Sequence, residues 1–163
     1  MAGSPYVFQS QYFAGDTRLE KCANNPAYDI RTPQSGAHVA KIHSALNIIR
    51  DAVRNGHSLP APPAIAQIEI ANKNYSASTA KSIKQYKRDR NIINYAYQQD
   101  ADDIIGVMTI RYLDEELAAI EARHRAQIEP ARDFLIEIDG DANLSGQDIS
   151  GQPAAKITAA KFN

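Results

Sequence analysis

Residues 75–114 constrain the fold most, because this stretch holds two helical patterns joined by a polar loop. The first pattern predicts a helix over about 77–90, with Ser76 as its N-cap and a small or apolar residue at every third position. The second predicts a helix over about 106–126. Residues 91–102, between them, predict an irregular loop that tyrosines and isoleucines keep from being fully solvated. The two stripes are Ala77, Ala80, Ile83 and Tyr86, and Ile110, Leu113, Leu117 and Ile120.

A third amphipathic pattern lies upstream and predicts a helix over about 38–55. Its apolar side chains recur at alternating spacings of three and four residues. Ser35 is a plausible N-cap and Asn55-Gly56 a good C-terminal stop. Three prolines within 60–63 prevent a helix interior there. Residues 64–72 fit a short helix or a strand, and the short helix is favoured. The stripe consists of Val39, Ile42, Leu46, Ile49 and Val53.

These patterns predict an all-α fold, a compact three-helix bundle over residues 36–128. Residues 1–35 read as an irregular arm, with one or two helical turns at about 17–23. The arm is rich in aromatic residues, so we expect it to pack on the domain. Pro130 is expected to end the last helical pattern. Residues 129–163 read as a polar tail or a linker.

The composition argues against several partners and compartments. The formal net charge is −1, so no global field directs the chain toward nucleic acid or an anionic membrane. No apolar run approaches the length of a membrane span. The N-terminus lacks the basic and apolar regions of a signal peptide. We therefore expect synthesis in the cytoplasm, with any export to the periplasm or cell wall by a signal-independent route.

No catalytic or metal-binding pattern emerges from the sequence, so we expect neither an enzyme nor a cofactor. The four histidines form no HExxH motif. The single thiol, Cys22, has only two basic residues nearby and is expected to be inert. Residues 139–145 carry oxygen ligands at calcium-loop spacing, but Leu144 and Ser150 stand where a glycine and a bidentate acid are required. A solvated turn is favoured there.

Residues 75–114, together with the predicted helix before them, resemble the peptidoglycan-binding-like family of three-helix domains attached to bacterial cell-wall enzymes. The resemblance covers about residues 36–118. Two residues depart from the family pattern, since Ser76 replaces a glycine and Lys87 a glutamine. The segments before the second helix and at 91–102 are longer than usual. The resemblance rests on Tyr75, Thr79-Ala80, Ile83, Tyr86, Asp103-Ile104-Ile105-Gly106, Thr109 and Leu113-Asp114.

Six residues of this motif are expected to serve the fold. The Asp103 carboxylate can accept hydrogen bonds from N–H groups at the start of the third predicted helix. Gly106 allows a close approach of the loop or a strained backbone angle. Thr79 and Thr109 stand in first turns, where hydroxyls satisfy free donors. The six are Thr79, Asp103, Gly106, Thr109, Leu113 and Asp114.

The resemblance implies a non-catalytic module that recognises peptidoglycan or its stem peptides and directs an attached or partner protein to the wall. Lysines and arginines of the second helix would meet stem carboxylates, and tyrosines would stack on sugars. A solvated cationic helix face accounts for the same residues without a ligand. The alternative function is a protein adaptor on the same scaffold, associated with a secretion machine or a secreted toxin or hydrolase. The candidate binding residues are Tyr75, Lys84, Tyr86, Lys87, Arg90, Tyr95 and Tyr97.

Overall fold

The computed structural model describes residues 3–146 of the 163-residue chain, with side chains up to residue 128. One compact unit ends at Glu121, and the residues from Ala122 on belong to a second unit. Five α-helices and no strand occur in the described range, which confirms the all-α prediction. The helices are α1 (Thr17–Asn24), α2 (Ala37–Arg54), α3 (Gln67–Asn72), α4 (Ala77–Asp89) and α5 (Val107–Gly146).

Helices α2, α4 and the first turns of α5 are the three predicted helices, and most residues of their apolar stripes lie in the core. The stripe predicted for α4 is wrong at its start, where Ala77 is exposed and Ala80 is half-buried. Burial of each large aliphatic side chain contributes about 1.5–3 kcal/mol before conformational entropy is subtracted. Val53 departs from the prediction because it is only half-buried, and Ala52 faces the core instead. Fully buried stripe residues are Val39, Ile42, Leu46 and Ile49 on α2, Ile83 and Tyr86 on α4, and Ile110, Leu113 and Leu117 on α5.

The N-terminal arm is part of this core. Helix α1 is capped by the Asp16 carboxylate, which accepts a hydrogen bond from the Leu19 N–H at 3.0 Å, and its Leu19 and Cys22 side chains are fully buried. Ile30 and Ile105 exchange two backbone hydrogen bonds of 2.9 Å in an antiparallel bridge. The arm is thereby joined to the turn that precedes α5.

Asp114 fastens the start of the arm to α5. Its carboxylate is fully buried and accepts hydrogen bonds from the Tyr6 hydroxyl at 2.8 Å, the Gln9 N–H at 2.8 Å and the Ser10 N–H at 2.9 Å. A buried carboxylate is costly unless donors surround it. These three donors explain how Asp114 is accommodated.

The helix starts differ from the predicted caps. Helix α2 begins after Gly36, whose φ of +134° favours glycine, and not after a capping Ser35. Ser76 makes no side-chain cap for α4. The Glu69 carboxylate, carried by α3, accepts the Ser78 N–H at 2.8 Å and the Thr79 N–H at 2.9 Å. These N–H groups lie 9 and 10 residues after Glu69 in the sequence, so rules based on local capping residues could not find this contact.

Helix α5 is longer than predicted. The expected end at Ala126 and the break at Pro130 are wrong, because the helix continues to Gly146. Proline removes one N–H donor and crowds the carbonyl four residues earlier, but Glu129, Ala131 and Arg132 around it are strong helix formers. The predicted tail at 129–163 is thus helical up to Gly146, including the calcium-loop candidate at 139–145, and residues 147–163 lie outside the described range. None of the described helices combines the length and apolarity that a bilayer crossing requires.

Candidate binding cleft

A cleft of about 290 Å³ opens where the arm meets the turn before α5. Its walls come from the 3-10 turn at Pro26–Tyr28, the end of α4, the loop at 91–102 and the first turn of α5. This volume is at the small end of the range for ligand sites. Apolar side chains line one part of the cleft, namely Pro26, Ile92, Ile104, Val107 and Met108.

Lys87 forms the polar floor of the cleft, and its charge is already matched. Only 5% of the residue is exposed. Its Nζ donates to Asp102 Oδ1 at 2.5 Å and to the Ile104 carbonyl at 3.0 Å. The Gln98 amide donates to the other oxygen of Asp102. Burial raises the pKa of Asp102, but the hydrogen bonds from Lys87, the Ile104 N–H and Gln98, together with the charge of Lys87, outweigh burial and leave that pKa below its ordinary value.

Asp29 contributes a carboxylate with a buried oxygen and a partly exposed one. Its Oδ1 has no hydrogen-bond partner among the described residues, and its Oδ2 lies 3.3 Å from the Arg31 guanidinium. Burial raises the pKa of Asp29, and Arg31 opposes that rise. A Cβ added at Gly106 would stand 3.2 Å from Asp29 Oδ1. Of the two roles expected for Gly106, this distance agrees with a close approach, and the group that approaches is the arm.

Two tyrosines of the loop at 91–102 remain exposed. Tyr97 lines the cleft and is 86% exposed, so its ring is free to contact a ligand. Tyr95 is 66% exposed, and its hydroxyl donates to Asn91 Oδ1 at 2.7 Å. Asn91 itself has a φ of +55°, a conformation that asparagine tolerates better than most residues. This loop therefore presents aromatic surface beside the cleft.

Arg90 and Tyr86 belong to a buried network around Glu116. The Arg90 Nε and Nη2 groups each donate to the Glu116 carboxylate at 2.6 Å. The Tyr86 hydroxyl donates to it at 2.9 Å, and His57 Nε2 lies 2.8 Å from it. Arg90 is 7% exposed and Tyr86 is fully buried. The expectation that this side of α4 is solvated is therefore wrong for Lys87 and Arg90, because each meets a carboxylate inside the fold.

The remaining predicted residues lie away from the cleft or within the core. Tyr75 is 1% exposed, and its hydroxyl donates to the backbone carbonyl of Asp103. The capping role predicted for the Asp103 carboxylate is wrong: this side chain is exposed and accepts no hydrogen bond from the start of α5. Asp102 accepts the Ile104 N–H at 3.0 Å, within the turn that precedes the helix. Lys84 lies on the surface, 3.9 Å from Asp100.

Thr79 and Thr109 are both buried, and Thr109 also lines the cleft. The Thr79 hydroxyl donates to Glu69 Oε2 at 2.6 Å and lies 2.9 Å from His43 Nε2. Hydrogen bonds from Thr79 and Ser78 outweigh the effect of burial and hold the pKa of Glu69 at about 2. This group of side chains fixes the start of α4 against α2.

Of the seven predicted binding residues, only Lys87 and Tyr97 line the cleft. Sequence reasoning missed Asp29, Asn94 and Gln98, which line it as well. Asn25-Pro26 is a turn signal in the sequence, and it marks the segment that carries Asp29. Nothing in the sequence indicated that this turn meets Gly106, 77 residues after Asp29 (106 − 29).

Two further observations concern chemistry elsewhere in the described part of the chain. Cys22 is buried, its Sγ donates to the Ile105 carbonyl at 3.4 Å, and burial raises its pKa to about 12. Such a thiol is a poor nucleophile at neutral pH. The described residues include no group of three or more His, Cys, Asp or Glu side chains placed to hold a metal ion.

Comparison with protein-family models, with curated proteins and with solved structures found no match to this chain.

Proposed function

We propose that the protein is a non-catalytic binding module for bacterial cell-wall peptidoglycan, and that the cleft at the arm is its binding site. The observation that carries the proposal is the strongly exposed Tyr97 ring at the edge of a small cleft with a polar floor. Sugar rings offer an apolar face to aromatic side chains and hydroxyls to carboxylates and amides. The cleft offers both kinds of partner.

The site would be preorganised on its polar side. Lys87 and Gln98 both hold the Asp102 carboxylate, so these side chains need little further ordering when a ligand arrives. The turn at 103–106, whose residues carry much of the resemblance to peptidoglycan-binding-like domains, borders the same cleft through Ile104 and Gly106. The motif and the cleft are thus neighbours in space, which supports the proposal.

Co-sedimentation with purified sacculi tests this function. Tyr97→Ala is expected to weaken binding about tenfold, which corresponds to ~1.4 kcal/mol. Tyr12→Ala is the matched control. Tyr12 is 44% exposed. The N–H of the preceding residue, Gln11, donates to Glu121. Glu121 lies about 18 Å along α5 from Thr109 in the cleft, at a rise of 1.5 Å per residue, so Tyr12 is remote from the cleft. A wild-type protein that stays in the supernatant at low salt contradicts the proposal, and so does an equal effect of the two substitutions.

A protein adaptor is the second candidate, and one observation favours it. Met108 and Tyr112 stand four residues apart on α5, on one face of that helix. They are 47% and 45% exposed, and Met108 also lines the cleft. A flat partner surface would cover this pair as well as Tyr97. Under the adaptor function, Tyr112→Ala weakens capture of one stable protein partner as much as Tyr97→Ala does, and neither substitution changes retention on sacculi.

A further inference from the structure

The charges of the cleft decide which part of peptidoglycan fits it. Lys87 is the cation among the lining residues, and it is neutralised by Asp102 at 2.5 Å. The Asp29 carboxylate adds a negative charge to the lining. Its Oδ1 is buried beside Gly106 without a hydrogen-bond partner among the described residues, and its Oδ2, which carries the exposed part of the carboxylate, lies 3.3 Å from Arg31. The described lining therefore offers Asp29 Oδ2 as a weakly engaged acceptor and has no spare cation. A ligand that donates a hydrogen bond suits it better than one that brings a negative charge.

The apolar lining adds a second requirement. Ile92, Ile104 and Val107 border the same cleft as Asp29. They can cover a methyl-sized apolar group, and each buried methyl or methylene contributes about 0.8 kcal/mol. The matching ligand group combines a small apolar end with an adjacent N–H donor. Tyr97 at the edge further favours a ring that can stack on an aromatic side chain.

We infer that the cleft binds the N-acetyl group of a hexosamine, and hence the glycan strand of peptidoglycan, not its stem peptide. The acetyl methyl lies against the apolar lining, the amide N–H donates to Asp29, and the sugar ring contacts Tyr97. The assignment rests on the proposed function and narrows it to one part of the polymer. A cleft of about 290 Å³ accommodates one such sugar unit, with the rest of the strand outside.

The stem peptide is the poorer ligand on the same grounds. Its carboxylates would approach Asp29 with no unpaired cation in the lining to receive them. Placing like charges together across an interface costs several kcal/mol. The contact first expected between stem carboxylates and Lys87 or Arg90 is blocked, because Asp102 and Glu116 already occupy those two cations.

Three soluble probes test the assignment by changes in the amide NMR spectrum of the full chain. The probes are triacetylchitotriose, cellotriose and a peptidoglycan stem tetrapeptide. Cellotriose is neutral and carries hydroxyls where triacetylchitotriose carries acetamido groups. Triacetylchitotriose is expected to shift amides of residues 92–109, and cellotriose, which lacks the acetyl methyl and the amide N–H, is expected to bind at least tenfold more weakly. Equal or tighter binding of cellotriose overturns the assignment, and so does tighter binding of the tetrapeptide.

Two substitutions separate the Asp29 contact from general effects. Asp29→Leu removes the acceptor and is expected to weaken triacetylchitotriose binding at least tenfold. Asp51→Leu is the control, since the Asp51 side chain is 65% exposed on α2 and does not line the cleft. Thermal unfolding of both variants shows whether the fold persists. If Asp29→Leu unfolds, Asp29→Asn replaces it, with a smaller loss expected because the amide oxygen still accepts.

The failure of this assignment and that of the proposed function are distinguishable. Retention on sacculi with no response to triacetylchitotriose overturns the N-acetyl assignment and leaves peptidoglycan binding in place. A response to triacetylchitotriose without retention on sacculi supports the assignment and contradicts the function. Unchanged affinity in both Asp29 variants refutes the role of that carboxylate.

Discussion

Replacing Glu116 by glutamine is expected to destabilise the compact unit by about 3–5 kcal/mol, the usual cost of removing one partner from a buried ion pair. The Glu116 carboxylate receives two hydrogen bonds of 2.6 Å from Arg90 and one of 2.9 Å from Tyr86. A glutamine keeps one acceptor and turns the other into a donor that faces donors. The Arg90 side chain is 1% exposed, so water cannot replace the lost carboxylate oxygen.

Urea unfolding followed by far-UV circular dichroism measures this cost. For a chain of this length the loss corresponds to a fall in Tm of about 10 °C. Glu115→Gln is the matched control, because Glu115 is the neighbouring residue on α5 and is exposed. The control is expected to change the free energy of unfolding by no more than about 0.5 kcal/mol. If Glu116→Gln costs no more than Glu115→Gln, Glu116 and Arg90 are not a buried pair.

A double variant separates the ion pair from simple packing loss. Arg90→Met with Glu116→Leu removes both charges and fills similar volume, so it is expected to be more stable than Glu116→Leu alone. Equal stability of the two would show that the unpaired arginine is not the source of the cost.

Burial raises the pKa of Glu116, but hydrogen bonds from Arg90 hold it below its ordinary value. The stabilisation is therefore present above about pH 4.5 and is lost as the pH falls through the folded-state pKa.

Three further outcomes follow from the same structure. The pKa of Glu69 is held at about 2, so its stabilisation is lost between about pH 4.5 and 2, and urea unfolding across that range should show a flatter pH dependence in Glu69→Gln. Asp114→Asn should loosen the arm, because a neutral amide accepts the Tyr6, Gln9 and Ser10 donors less well, and limited proteolysis should then cut within residues 3–15 faster than in wild type. Gly106→Ala should lower the free energy of unfolding by about 1–3 kcal/mol, because the added carbon crowds Asp29. Gly3→Ala is the control and should leave stability unchanged, since no atom lies within 4 Å of the added carbon. An unchanged melting temperature of Gly106→Ala would refute the close approach.

The helices were predictable because their signal is local. The stripe from Val39 to Ile49 and the stripe from Ile110 to Ile120 each record which face of one helix is buried, and both predictions are confirmed. The end of α5 was not predictable by the same rule. Pro130 carries a strong local break signal, and the surrounding helix-forming residues outweigh it.

The burial of the charged side chains of α4 was not predictable, because the carboxylates that pair with them are distant in the sequence. Lys87 and Arg90 look like members of a solvated face when α4 is considered alone. Their partners, Asp102 and Glu116, lie 15 and 26 residues away, and a periodic pattern holds no information about such pairs. The same limit applies to the cleft, since Asp29 enters it from the arm. Tyr97 was predicted as a binding residue because isolated aromatic residues in a polar loop can be recognised from the neighbouring sequence alone.

The bridge between Ile30 and Ile105 has a consequence for the order of events during synthesis. The N-terminal arm is made first, yet its backbone partner is 75 residues later (105 − 30), and the carboxylate that receives Tyr6 is 108 residues later. Contacts between residues so far apart in the sequence form late in folding, because closing a long loop costs conformational entropy. Until Asp114 has left the ribosome, Phe13 and Leu19 have no complete core to enter. A nascent chain arrested just after α4 is therefore expected to expose these side chains and to recruit chaperones that bind apolar segments.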